Sequence, residues 1–195
     1  MDIPAMLLYM VVTGVTPGPN NLMSLYLSAQ YGFSGARKFM IGSSLGFFLK
    51  MLLCGALNVA LAAVVPALVP YLKWLGAAYM VYLSFAMLRS GFAAAGEEKE
   101  KTGESTYVSG LALQVVNIKS WVACLSVFSV YVTPHTTALP VILAVAVVNT
   151  LGMILWTVLW GGFGNAFRRA YAAHSKIFSV VLAASVLLCA FSAIK

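Results

Sequence analysis

Two groups of polar residues interrupt long apolar runs in this chain, and both suit the binding of a small carboxylate. The first is Thr16-Pro17-Gly18-Pro19-Asn20-Asn21. Two prolines one residue apart cannot both sit inside a regular helix, because each removes a backbone donor and pushes the residue before it toward extended geometry. In lipid the freed carbonyls have no water to turn to, so the break persists only where protein or a wet cavity satisfies it. Pro19 suits the first position of a new helix, where its missing N–H costs nothing, and Gly18 frees the junction. One half-helix should end near Val15 and a second begin near Pro19. The free N–H groups of the second carry the positive end of the helix dipole and suit an anion such as a carboxylate. Asn20 and Asn21 add amide donors and acceptors. A kink that only shapes packing is the plainer alternative. It accounts poorly for two prolines, a glycine and two asparagines together.

The second group is Gln114, Asn117 and Lys119, with Lys50 at similar depth in an earlier apolar run. A lysine at the centre of a spanning helix costs roughly 2.5–3.5 kcal/mol on insertion scales. Snorkelling does not relieve it, because the interface is about 15 Å away by half the hydrocarbon thickness. Every acid in the chain is Asp2 or lies between 97 and 104. Neither lysine therefore has a carboxylate partner at its own depth. Each must shed its proton, face a wet cavity or meet an anion from outside. A lysine that sheds its proton could also carry an exchanged one. The same lack of acids argues against a cationic solute. It favours a small neutral or zwitterionic one, its ammonium held by carbonyls exposed at the break and by Asn or Gln oxygens.

The elements that must position these residues follow from composition. The chain has 195 residues, 62% of them apolar and 9% charged, with a mean hydropathy of +0.93. A soluble domain would carry about 25% charged residues. The expected fold is an all-α integral membrane protein with six transmembrane helices at roughly 3–29, 39–65, 71–88, 108–132, 139–160 and 177–194, each close to the ~20 residues a span needs. The first is broken at Thr16–Asn21. No run alternates apolar and polar as a barrel strand would. The N-terminus has Asp2 and no basic residue before its apolar run, unlike a cleaved signal.

Charge sets the expected orientation. The first, third and fifth connections hold Arg37, Lys38, Arg89, Lys99, Lys101, Arg168, Arg169 and Lys176, and the opposite side only Lys73 and Lys195. By the positive-inside rule the crowded side is cytoplasmic, which leaves both termini outside. The alternation also makes the net charge of +7 a matter of topology and gives no nucleic-acid patch. A hydrophilic cytoplasmic linker at 91–106 separates half-repeats at 1–90 and 107–195. Three spans per half is odd, so two related halves would form a 3+3 inverted repeat.

Other features are less specific. Gly42-Ser43-Ser44-Leu45-Gly46 has GxxxG spacing, suited to close packing within one chain or to a homodimer. Asn58 and Asn149 fit either interhelical bonding or a pore lining. Tyr71, Trp74, Trp156 and Trp160 suit interfacial belts. Cys54, Cys124 and Cys189 have no metal-ligand spacing, the two histidines fall on opposite sides, and no cofactor is expected. No nucleophile–base pair, HExxH or nucleotide loop points to an enzyme. A passive channel or a non-transporting scaffold is the alternative to a transporter. A channel should show a continuous polar face, and a scaffold needs neither the break nor the buried lysines.

The motif Thr16-Pro17-Gly18-Pro19-Asn20, with Asn117-Ile118-Lys119 in the fourth span, resembles the LysE/RhtB family of amino-acid exporters. Gly42–Cys54 and Leu75–Tyr79 add to the likeness, which runs over essentially the whole chain and is nearest to the cysteine/O-acetylserine exporters. The resemblance implies six spans, the bacterial inner membrane, and efflux by proton exchange. It implies a site for a small amino acid between the first break and Gln114–Lys119, with Lys50 as a third contributor. Ile118 stands where relatives carry a proline, which predicts a less sharp break in the fourth span. Phe47-Phe48-Leu49-Lys50 stands where many relatives carry an acid, so a coupling scheme built on that acid has no residue to act on here.

Overall fold

A computed structural model describes residues 1–92 and 106–194. The expected linker lies, apart from its ends, outside the described residues. All regular structure among the described residues is helical: α1 Ile3–Val15, α2 Pro19–Ala56, α3 Asn58–Phe92, α4 Tyr107–Val116, α5 Ile118–Ser126 (continued by a π-helical turn, Val127–Val132), α6 Leu139–Ala166, α7 Arg168–Ala173 and α8 Ser175–Ile194.

The burial pattern is that of a protein dissolved in lipid. Leu8, Phe85 and Leu188 are 64%, 68% and 66% exposed, while Asn20, Ser24, Gln114 and Asn149 are buried. Water would favour the reverse arrangement. In a bilayer the polar groups must face inward, because hydrocarbon offers them no partner. Among the described residues three helices are long and apolar enough to cross, Pro19–Ala56, Leu139–Ala166 and Ser175–Ser192, and the bent pair 107–116 and 118–132 makes a fourth if it is one span.

Helix α2 is two antiparallel arms. Asn20 and Ser43 are 23 residues apart, which would be about 35 Å in a straight helix, yet the Ser43 hydroxyl donates to Asn20 Oδ1. The chain doubles back at Gly32, whose φ of 76° and ψ of 166° suit no residue with a side chain. The expected first connection is therefore this one-residue turn, and Arg37 and Lys38 lie in helix just beyond it. A Cβ at Gly32 would also lie 3.3 Å from the Arg168 guanidinium. Gly32→Ala should cost about 1–3 kcal/mol. In a detergent melt the midpoint should fall by about 5 °C, and an unchanged midpoint would show that the turn is not strained.

The second turn also differs from expectation. Sequence places it between 65 and 71, but the break falls at Leu57, and α3 runs unbroken to Phe92. Neither Leu57 nor its apolar neighbours carry a turn signal, which is why the boundary was not readable.

Packing brings the two α2 arms against α4 and α6, and sets α3 against α8. Glycines allow the closest approaches. A Cβ at Gly42 would lie 2.1 Å from the Tyr107 carbonyl oxygen, and one at Gly110 would lie 2.3 Å from that of Phe39. The Gly42–Gly46 stretch thus faces α4 of its own chain. Two apolar clusters flank the polar centre, one around Met23, Tyr26, Phe39 and Leu83, the other around Met51, Cys124, Phe128 and Val132.

Candidate functional site

The first break forms where sequence places it. Helix α1 ends at Val15, Thr16 turns extended, and α2 starts with Pro19 at its first position. The freed carbonyls at the end of α1 are nearly all answered by side chains. Asn21 Nδ2 donates to the carbonyls of Gly14 (2.9 Å) and Thr16 (3.3 Å). The Thr16 hydroxyl donates back to Val12 and Thr13. Lys119 Nζ reaches across from the other half of the chain to Thr16, at 2.9 Å from its carbonyl and 2.7 Å from its hydroxyl.

The second break is sharp. Helices α4 and α5 meet at 67° at Asn117, despite the missing proline. The expectation of a milder break is corrected, because asparagine does the proline's work by another route. Asn117 leaves helical geometry (φ −80°, ψ 93°) and caps α5, its Oδ1 accepting from the Ser120 N–H at 3.3 Å. The open end of α4 is closed from two sides. Lys50 Nζ donates to the Gln114 carbonyl, and Trp121 Nε1 donates to that of Val115 at 2.8 Å. The Lys50 ammonium also sits 5.0 Å from the Trp121 ring centroid, within cation–π range.

A one-way hydrogen-bond chain joins the two breaks. Lys50 donates to Ser120 Oγ, and Ser120 donates to Gln114 Oε1 at 2.9 Å. Gln114 Nε2 donates to Ser43 Oγ at 2.8 Å, and Ser43 donates to Asn20 Oδ1. Asn20 Nδ2 then donates to Thr157 Oγ1 at 3.0 Å. An ammonium can only donate, so Lys50 at one end fixes the direction of every hydroxyl and amide after it. The chain crosses α5, α4, both arms of α2, and α6. All six residues are buried, and a satisfied buried network of this kind specifies one arrangement of the helices around it.

Beside this chain lies a cavity of about 100 Å³, measured by the centres of water-sized molecules. That exceeds what a single water needs. Asn20, Asn21, Gln114, Asn117 and Lys119 line it, with Trp156, Asn149 and apolar residues of α1, α5 and α6. On the far side of Gly18, Asn117 and Lys119, which line both spaces, is a larger cleft of about 660 Å³ on the same measure. Lys119 borders both spaces, and its contact with Thr16 lies at an exposed position beside them. A Cβ on Gly18 would meet Lys119 Nζ at 3.3 Å, so glycine keeps the lysine's path clear.

Of the expected site residues, Gly18, Asn20, Asn21, Gln114, Asn117 and Lys119 line the cavity, Pro17 and Pro19 line the cleft, and Thr16 holds Lys119. Lys50 is not among the lining residues and sits behind them, closing the end of α4. Sequence reasoning did not single out Ser43, Ser120 and Thr157. Each is a small hydroxyl common in spanning helices, and only the spatial chain marks it out. Of the two ambiguous amides, Asn58 donates to Ser129 at 3.1 Å and Asn149 lines the cavity. Trp156 is no belt residue but turns inward over Gly14. No group of three possible metal ligands occurs among the described residues.

Broken apolar helices whose ends converge on one cavity are the arrangement found at the sites of membrane transport proteins. The chain belongs to the LysE type translocator family, whose family model matches residues 11–195. It is 34% identical over 182 residues to a cysteine/O-acetylserine efflux protein of Escherichia coli O157:H7, covering 93% of this chain and 92% of the relative. Proteins of the same name from Escherichia coli O1:K1 / APEC and Salmonella typhi are 33% and 32% identical over the same shares. No solved structure matches. It is a multi-pass membrane protein of a family of translocators, not of enzymes.

Proposed function

We propose that this chain exports small neutral amino acids or their derivatives, of the cysteine and O-acetylserine kind, across the bacterial inner membrane by proton exchange. The observation that carries the reading is the convergence of both helix breaks, with Lys119 and the open first turn of α2, on one cavity whose described lining holds no acid. The N–H groups of Asn20 and Asn21 have no acceptor within their helix. With Lys119 they would hold the substrate carboxylate. Asn21 uses its amide nitrogen on the end of α1, which leaves its oxygen for the substrate ammonium. The carboxylate would then replace Thr16 as the partner of Lys119. In this reading the chain makes six crossings as a 3+3 inverted repeat with both termini periplasmic, and the halves rock about the site. The matching breaks, one per half, support the repeat. The names of the relatives support the substrate class.

The test is efflux of cysteine, O-acetylserine and lysine from loaded cells. Wild type should speed loss of the first two, and a protonophore should stop it. Lys119→Ala, at matched membrane level, should slow efflux at least about tenfold, the weight of a charged hydrogen bond. Unchanged efflux in that variant would remove Lys119 from the site. Faster efflux of lysine than of cysteine would overturn the substrate class.

A further inference from the structure

The cavity lining reaches beyond the two breaks. Asn20 lines the cavity, and the Asn20 amide is held from behind by Thr157 of α6. Helix α6 then carries the lining through Trp156, Met153, Gly152 and Asn149. These positions recur at three and four residues and so share one helix face. Trp156 sits over Gly14, and Gly152 faces Met10, so α1 and α6 run side by side in the same direction. Asn149 thus lies about 12 Å along α6 from Thr157. Most of the remaining wall is apolar, with Met10, Phe47, Met51 and Val127, and its polar atoms there are the hydroxyls of Tyr9 and Thr13 and the Cys124 thiol.

Asn149 is 4% exposed. Its amide nitrogen donates to the Val145 carbonyl at 2.9 Å. Only nitrogen can donate there, which settles which end of the amide is which. The oxygen accepts no hydrogen bond from the described residues, and one amide hydrogen is also unspent. A buried amide half-used in a largely apolar wall is costly unless something fills the cavity and pairs with it.

We infer that Asn149 is the residue that reads the substrate's side chain, selecting a short chain that ends in one hydrogen-bonding group. This rests on the exporter reading above and deepens it. A thiol or hydroxyl would donate to the Asn149 oxygen. An ester carbonyl would accept its second amide hydrogen. An aliphatic chain of the same size would leave the amide unpaired, and a site built to hydrogen-bond its substrate rejects the analogue lacking that group.

The experiment compares cysteine and serine with 2-aminobutyrate, in which a methyl replaces the thiol or hydroxyl. Two readouts are taken on the full chain: efflux from proteoliposomes, and the rise in melting temperature of the detergent-purified protein on titration with each amino acid. Wild type should favour cysteine and serine by about tenfold. Asn149→Leu should bring that ratio to within about twofold of unity while 2-aminobutyrate still moves. Asn149→Ala, which removes the amide and adds no bulk, is measured alongside should the leucine variant fail to fold. An unchanged ratio in a folded variant, or no preference in wild type by either readout, overturns the assignment. Efflux with an unchanged ratio would leave the exporter reading standing. A melting preference that wild type shows and the Asn149 variant loses, without efflux in either, would defeat the exporter reading and leave Asn149 in its role.

Discussion

Lys50→Met should give a protein that still inserts but melts about 10 °C lower. Two effects of opposite sign meet at this residue. Removing a lysine from mid-helix eases insertion by roughly 2.5–3.5 kcal/mol. That gain belongs to the inserted helix and does not carry over to the folded state, where the ammonium is held by the Gln114 carbonyl, the Gln114 side chain and Ser120. Methionine fills the space and supplies no donor. The open end of α4 then faces apolar surroundings without its partner, at a cost of about 3 kcal/mol. For a chain of this size that corresponds to about 6–12 °C. Membrane level by immunoblot and melting in detergent separate the two effects. A midpoint equal to wild type would show that Lys50 does not close the break.

Asn20→Ala should lower export about a hundredfold with membrane level kept within about twofold. Asn20 is the one residue that is at once in the open first turn of α2, in the cavity lining and in the hydrogen-bond chain. Alanine keeps the helix start, since Pro19 and Gly18 are untouched. It leaves the Ser43 hydroxyl without its acceptor and Thr157 without its donor. Two buried groups losing partners amount to about 3 kcal/mol, or about a hundredfold. The measurement is the initial efflux rate of O-acetylserine from proteoliposomes at equal protein content. Full activity would mean that the cavity beside Asn20 is not the path.

The first break could be read in the sequence because its cause is local: proline and glycine constrain their own backbone, and Pro19 starts its helix as expected. The second could be placed but not graded. The bend at Asn117 depends on Lys50 and Trp121, whose approach to the end of α4 is a matter of tertiary structure. Lys50 itself was legible as an anomaly, and the structure sets it behind the residues that line the cavity. Sequence shows that a buried lysine needs partners but does not show that backbone carbonyls provide them. Sequence places the first connection between 29 and 39, which holds Gly32, but does not show its form: nothing in it tells that one glycine makes the whole turn while Arg37 and Lys38 stay in helix. Ser43, Ser120 and Thr157 were invisible, being ordinary in composition and special only in position.

The two lysines also impose an order on biosynthesis. Lys119 answers Thr16 across 103 residues, and Lys50 answers Gln114 across 64. When the first break enters the bilayer, its lysine has not yet been translated. Until then the break is attended only from nearby, by Asn21, five and seven residues from its acceptors, and by the Thr16 hydroxyl, three and four residues from its own. The second break emerges after Lys50 is already in place. The nascent chain thus passes through a stage, lasting until residue 119 leaves the ribosome, in which the end of α1 is held by local side chains alone, without the lysine. Chains that stall or are cut in that interval carry an open helix end in lipid, and membrane proteases could distinguish them there from finished ones.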